Sequence, residues 1–213
     1  MKKLKYIFLL AGALSLASCE SWLDEDPQYT INTKTQFSTV ENAKQALMGC
    51  YGYMSADNAY GQAWQEVTFG YCGFGWSQTN GSSTDLLVSM DGGIDETINT
   101  MAWRGMYKVI GETNAFIANI ADSPLESADK LPMEAAARFL RALAYYNLAV
   151  TYGDVPLKTT PSAHDGVAVP RSPKNEVFEL VRTDWEFAYE NLPEKDDDGF
   201  ATKWAAKAYL GKL

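Results

Sequence analysis

Histidine is almost absent from this 213-residue chain, and basic residues are scarce. His164 is the sole histidine, and it stands in a Pro/Gly-containing loop with no Cys or Ser pattern beside it. A His-rich zinc site and a Ser-His relay both need more imidazole than this, so neither is expected. Lys+Arg 18 against Asp+Glu 27 leaves a formal charge of −9. Nucleic-acid phosphates demand clustered Lys and Arg, so no nucleic-acid role is expected either. Cysteine is limited to 3 residues, and the apolar stretch from Tyr6 to Leu16 falls well short of the ~20 residues that span a bilayer core. What is plentiful is apolar and aromatic surface. Hydrophobic residues make up 46% of the chain, enough for a sizeable core, and Phe 9, Trp 6 and Tyr 12 give 13% aromatics.

The N-terminus carries an export pattern. Met1-Lys2-Lys3-Leu4-Lys5 is a positive n-region, and Tyr6–Leu16 has the length of a signal h-region. Leu16-Ala17-Ser18-Cys19 then resembles the lipobox of bacterial lipoproteins. Small residues at Ala17 and Ser18 let a signal peptidase close on the backbone, and the Cys19 thiol is the expected acceptor of the lipid. Several acyl chains together hold a protein stably on a membrane, so a lipidated Cys19 is an anchor. The expected organisation is a signal peptide over residues 1–18, a lipidated N-terminus and tether over 19–37, and an α-helical domain over 38–213. Of the two remaining cysteines, Cys50 falls on the apolar face of a predicted helix, where a free buried thiol is common. A Cys50–Cys72 disulfide is not expected.

The body reads as mainly α. Ser38-Thr39-Val40-Glu41 is a capping box with Ser38 as N-cap, and Val40, Ala43, Leu47, Cys50, Tyr51 and Met54 form one stripe, predicting a helix over 39–56. From Asp57 to about Asn99 glycines interrupt the pattern, and helical order is not expected over most of it. A loop this long is usually functional when ordered. Periodicity returns over 98–121, and an Ala-rich helix, apolar nearly all round, follows from about Pro132 to Tyr152. Gly153 fits a C′ position and Pro156 forbids continuation. Ser172-Pro173 opens a helix that runs to Leu192, and a last helix starts near Thr202, still in progress where the chain stops at Leu213. Residues 98–152 and 173–213 thus make two helical hairpins, the second incomplete, with a tetratricopeptide-like character. Trp103, Trp185 and Trp204 lie on helix faces and are expected in the core. Arg141 sits in the nearly all-apolar helix, where a charge must find partners on adjoining helices, so it is expected to be structural.

With these pieces in order, the chain resembles the SusD/RagB family of nutrient-binding outer-membrane lipoproteins. The residues that carry the resemblance begin at Cys19 and Trp22-Leu23-Asp24-Glu25-Asp26-Pro27. Trp103 and Tyr107 follow, leading to Asn114-Ala115-Phe116-Ile117. The most specific stretch is Arg138 to Leu148 running into Tyr152-Gly153-Asp154-Val155-Pro156-Leu157. Arg171-Ser172, the Asp184 helix ending Leu192-Pro193, and Thr202-Lys203-Trp204-Ala205-Ala206 complete it. The resemblance implies tetratricopeptide-like repeats, capture of glycans or other nutrients at the cell surface, and a SusC-type TonB-dependent transporter as partner. Family members are usually more than twice this length, which implies a missing C-terminal half. In the starch-binding member an aromatic follows a Thr-Asp pair in the loop. Here Thr84-Asp85 is followed by Leu86-Leu87-Val88-Ser89-Met90, which argues against starch and not against sugars.

Sugar binding needs flat aromatics to stack on a ring and amides or carboxylates to bond its hydroxyls. Trp64, Trp76, Gln78, Asn80 and Asp85 supply both and are the candidate ligand residues; the alternative for either tryptophan is that it pins the loop onto the helices. Glu194-Lys195-Asp196-Asp197-Asp198-Gly199 imitates a calcium loop, but the bidentate-Glu position falls on Ala205, so the EF-hand pattern fails. No catalytic residue, metal or cofactor is expected. Three classes remain: a lipid-anchored nutrient-binding protein, a tetratricopeptide-like protein-interaction scaffold, and a lipid-anchored glycoside hydrolase. The loop aromatics favour the first over the second, and no catalytic signature supports the third.

Overall fold

The computed structural model describes residues 33–70, 72, 90, 97–161, 169–196 and 199–213. In chain order these form α1 (Thr33–Gln36), α2 (Val40–Ser55), a π-turn (Asp57–Gly61), α3 (Ala63–Gly70), α4 (Thr97–Ala121) and α5 (Ser127–Tyr152). Then come β1 (Val155–Pro156), β2 (Arg171–Ser172), α6 (Lys174–Asn191) and α7 (Lys203–Leu210). The fold is mainly α, built from the two expected hairpins.

The first hairpin is α4 against α5. Tyr152 at the end of α5 donates its hydroxyl proton to the Asn99 carbonyl at the start of α4 (3.1 Å), so the two run antiparallel. The alanines at 135, 136, 137, 142, 144 and 149 of α5 are all buried, which lets neighbouring helices close on it from several sides. The second hairpin, α6 with α7, packs against α5 through Val177, Val181, Trp185 and Ala188 of α6, all of them buried. A two-residue antiparallel ladder pairs Val155 with Ser172 and Pro156 with Arg171, tying the end of the first hairpin to the start of the second. That ladder is too short to leave a periodic signal in sequence.

Several boundaries differ from expectation. The cap of α2 is Thr39, not Ser38: Thr39 has the extended φ/ψ of −134/155° that a cap needs, and its Oγ1 accepts from Asn42 N–H (3.2 Å). Ser38 instead donates to the Thr35 carbonyl. Helix α5 begins before Pro132, at Ser127, because Lys130 N–H already closes a turn onto the Glu126 carbonyl. At α6 the cap comes from a distance, as Asp154 Oδ1 accepts from Lys174 N–H (2.9 Å) while Pro173 takes the N-cap position. Gly153, at φ +75°, ends α5 as expected.

The stretch 57–99, where helical order was not expected over most residues, does begin with ordered structure: a π-turn kinked at Ala59 (φ −122°, ψ −121°) and then helix α3, with Ala59, Ala63, Trp64 and Val67 buried in the core. Gly105 of α4 permits it. A Cβ built at Gly105 would lie 1.8 Å from the Asn58 carbonyl oxygen, so only glycine lets α4 approach the turn that closely. Cys50 is buried and free, and Cys72 is exposed and free, in line with the expectation of no disulfide. The Cys50 thiol is pushed up to about 12 by burial, with the Glu112 charge adding to it.

Candidate functional site

The deepest polar feature is a clamp joining three helices. Arg141 of α5 donates from Nε to Asp184 Oδ2 (2.7 Å) and from Nη2 to Asp184 Oδ1 (2.8 Å), a bidentate pair with α6. Its Nη1 donates to Asn114 Oδ1 of α4 (2.8 Å). Asn114 passes the connection on, since its Nδ2 donates to the carbonyls of Lys158 (3.0 Å) and Thr160 (3.3 Å). Tyr145 holds the same segment from the other side: its hydroxyl donates to the Lys158 carbonyl (2.8 Å) and accepts from Lys158 N–H (2.6 Å). Asp184 is fully buried, and a second arginine approaches it, Arg138 Nη1 at 3.5 Å, itself paired with Glu134 and lying over the Phe187 ring. Both carboxylate oxygens of Asp184 thus accept from guanidinium. Arg141 is structural, as its apolar helix implied.

A second grouping is aromatic. Tyr152, Trp103, Tyr107 and Tyr145 follow one another across α4 and α5, with ring centroids 5.1, 5.0 and 6.5 Å apart in turn. Tyr107 donates to the Pro156 carbonyl of β1 (2.7 Å). Burial raises its hydroxyl pKa well above the usual phenol range, assisted by neighbouring Tyr145 and opposed by Arg171. The clamp and this aromatic row fix the chain from Val155 to Thr160 against the first hairpin. Trp103 and Asn114 carry the family resemblance, but their partners lie too far along the chain for spacing to reveal.

Of the candidate ligand residues, Trp64 alone falls among those described. It sits in α3, 8% exposed, with its ring against Tyr60 at 6.4 Å. That placement matches the reading of Trp64 as a residue that pins the chain onto the helices. Trp76, Gln78, Asn80 and Asp85, the lipidation candidate Cys19, and His164 lie outside the described residues. The structure does place the two ends of the candidate loop: Gly70 at the end of α3 is buried, and α4 resumes at Thr97 with Ile98 in the core. Among the described residues no group of His, Cys, Asp and Glu is placed to hold a metal ion, and no helix is long and apolar enough to cross a membrane. An open cleft of about 680 Å³ lies along α6 and α7, lined by Phe178, Arg182 and Leu210 among others, away from the candidate ligand residues in sequence.

Comparison with known proteins places this geometry. A family model described as "Starch-binding associating with outer membrane" matches residues 21–213. The chain is 25% identical to SusD-like protein P25 of Formosa agariphila over 98% of its own length and 41% of the relative's. It spans about two fifths of the length of the curated relatives it matches. Among solved structures it is similar to a laminarin-binding SusD-like protein (25% identity, TM-score 0.70, 82% of this chain and 39% of that one). It is also similar to a protein crystallised with xylogluco-oligosaccharide (26% identity, TM-score 0.67, 78% of this chain and 34% of that one).

Proposed function

The chain belongs to the SusD-like family, and from that premise we propose that it is a lipid-anchored binding protein of the outer membrane. In this reading it captures oligosaccharide at the cell surface and passes it to a SusC-like TonB-dependent transporter. It binds and does not hydrolyse. The observation that carries the reading is the match of the helical scaffold to two proteins whose names record laminarin and xylogluco-oligosaccharide. Residue chemistry agrees with it. Trp76 offers a stacking face, and Gln78, Asn80 and Asp85 offer partners for sugar hydroxyls, all on the segment joining α3 to α4. Cys19 holds the chain at the membrane through its lipid. Trp64 takes the supporting role that its burial suggests.

Calorimetric titration of the lipidated chain, in a non-sugar, nonionic detergent, with a panel of oligosaccharides tests this. Trp76→Ala is expected to weaken the bound glycan about tenfold, roughly 1.4 kcal/mol. Cys19→Ala is expected to move the protein from the membrane to the soluble fraction. Absence of heat with every glycan, or sugar release without a second enzyme, would count against the proposal. Co-purification of a TonB-dependent barrel from membranes of the source cells tests the transporter step.

A further inference from the structure

Positive charge gathers at the second hairpin of an otherwise acidic chain. Residues 199–213 hold Lys203, Lys207 and Lys212 and no Asp or Glu, against a net charge of −9 for the whole chain. Lys203 pairs with Glu194. Lys207, Lys212 and Lys174 at the start of α6 have no carboxylate partner among the described residues. Each lies over an aromatic ring instead: Lys174 over Phe178 (5.1 Å), Lys207 over Tyr189 (5.1 Å), and Lys212 over Tyr146 (5.4 Å) and Tyr209 (5.9 Å). Such contacts are weak at exposed sites, so the ammonium groups keep their capacity for charge-assisted bonds. Two of these lysines meet at one place. The Tyr146 and Phe178 rings are neighbours (6.2 Å), so Lys174 and Lys212 both stand over this pair. Half-buried Phe178 also lines the 680 Å³ cleft, together with Leu210 and Leu213.

One end of the cleft therefore joins apolar side chains to two ammonium groups. The acids that line it, Glu179 and Glu186, both engage Arg182 (2.6 and 2.9 Å), which offsets part of their charge. Leucine side chains beside the ring suit an aliphatic or aromatic side chain better than the hydroxyl-rich face of a sugar. A recess between two helices also fits a peptide segment and not a flat lipid surface. We propose that this cleft is a docking groove for a partner protein's segment that carries an apolar anchor next to one or more carboxylates. The anchor enters beside Phe178, Leu210 and Leu213, and the carboxylates take the ammonium groups of Lys174 and Lys212. The proposal goes beyond the glycan-binding reading and does not depend on it.

The probe is a random-peptide display library, panned on the lipidated chain held in neutral phosphatidylcholine vesicles, with empty vesicles as the blank. Enriched sequences are expected to combine Leu, Ile or Phe with Asp or Glu. Exchanging their acids for Asn and Gln should weaken binding to the natural chain about tenfold in fluorescence anisotropy. Lys174→Gln with Lys212→Gln should give a similar loss. Arg104→Glu makes the same change in net charge at an exposed site on α4 and should leave binding within about twofold. Leu213→Ser, at a 40% exposed position, should weaken the anchor. No enrichment, enrichment of sequences without carboxylates, or acidic peptides held equally well by the double variant would each overturn the proposal. So would a cross-linked second copy of this chain seated in the cleft. Hydrogen-exchange protection of residues 203–213 that appears only on phosphatidylglycerol vesicles would assign these lysines to a lipid surface and likewise overturn it.

Discussion

The two hairpins bury their polar and aromatic residues very differently. In the first, 25-residue α4 and 26-residue α5 run past each other along their length, and the charge that α5 carries inside, Arg141, reaches both α4 and α6. In the second, 18-residue α6 meets an 8-residue α7 whose tryptophan, Trp204, is 51% exposed. Helix length sets much of this. A short helix offers one or two turns of contact, and Ala206 is the one residue of α7 that is fully buried there. Tyr209 does the aromatic packing of α7, lying against Trp185 (5.1 Å) and Phe139 (5.7 Å). The polar clamp therefore joins α4, α5 and α6 to one another, whereas α7 is held by burial of a few rings and small residues.

Breaking the clamp should produce the largest effect. Arg141→Ala leaves Asp184 buried with its bidentate partner gone, and such losses run to about 3–5 kcal/mol. Thermal or urea unfolding measures it. The double variant Arg141→Leu with Asp184→Leu removes both charges and is expected to recover most of the loss. A double variant as unstable as the single one would mean that the clamp stabilises by more than neutralising its own charges.

Gly105→Ala comes next. Its Cβ would meet the Asn58 carbonyl at 1.8 Å, a backbone atom that cannot rotate away, so α4 and the π-turn must separate. Overpacking of this kind costs about 1–3 kcal/mol. The loss should appear as faster hydrogen exchange in residues 57–70 while α6 and α7 stay protected. Uniform loss across both hairpins would mean that the α4 contact with the π-turn also supports the second hairpin.

These two sites also mark what could be read from sequence and what could not. An arginine in a helix apolar nearly all round had to be satisfied, so the role of Arg141 was legible. Its partners were not, because Asn114 and Asp184 lie 27 and 43 residues away, beyond any local pattern. The helix over 98–121 and the start of the last helix near 202 were legible from periodicity to within a residue, but the last helix ends at Leu210 with Gly211 as its cap rather than running on at Leu213. Within 57–99 the helix over 63–70 was not picked out, because Gly61 and Gly70 read as interruptions, while packing of Trp64 and Val67 into the core overrides weak local propensity. Pro132 misled in the same way, since a helix start was placed at a residue that α5 carries inside its second turn. Among the candidate ligand residues, Trp64 illustrates a further limit: sequence could offer both a binding and a pinning role, and it could not tell that the ring is buried against Tyr60.

The attachment of α2 to the second hairpin gives a smaller, pH-dependent effect. The Tyr51 hydroxyl accepts from Ala201 N–H (2.9 Å), and its ring packs on Phe200 at 5.1 Å. Burial pushes the Tyr51 phenol up from 10.0 to about 12, partly offset by the bond from Ala201, and Cys50 beside it is likewise raised from 9.0 to about 12. Both are neutral when protonated, so the folded state holds these protons more tightly than the unfolded one. Stability is then fully present below pH 9 and is lost as pH rises from about 9 to about 12. Urea unfolding at intervals across that window should show the decline. Tyr51→Phe should flatten its upper part, between pH 10 and 12, and cost about 1 kcal/mol at neutral pH through the lost hydrogen bond. An unchanged slope in that variant would assign the alkaline loss to other groups.

The smallest expected effect sharpens the comparison most directly, because it sets two tryptophans of the second hairpin side by side. Trp185 is fully buried between Tyr146 and Tyr209, whereas Trp204 has Lys203 over its ring and half its surface in solvent. Both were expected in the core, since both occupy the periodic face of their helix, but periodicity gives direction and not depth. Truncating a buried tryptophan costs about 3–5 kcal/mol, while an exposed one away from special features stays within about 0.5 kcal/mol. Trp185→Ala should therefore unfold or severely weaken the chain, and Trp204→Ala should leave its unfolding midpoint where it was. If Trp204→Ala instead cost about 2 kcal/mol or more, the indole must be covered in solution. The open edge of the second hairpin would then be closed by contacts beyond those the described residues make.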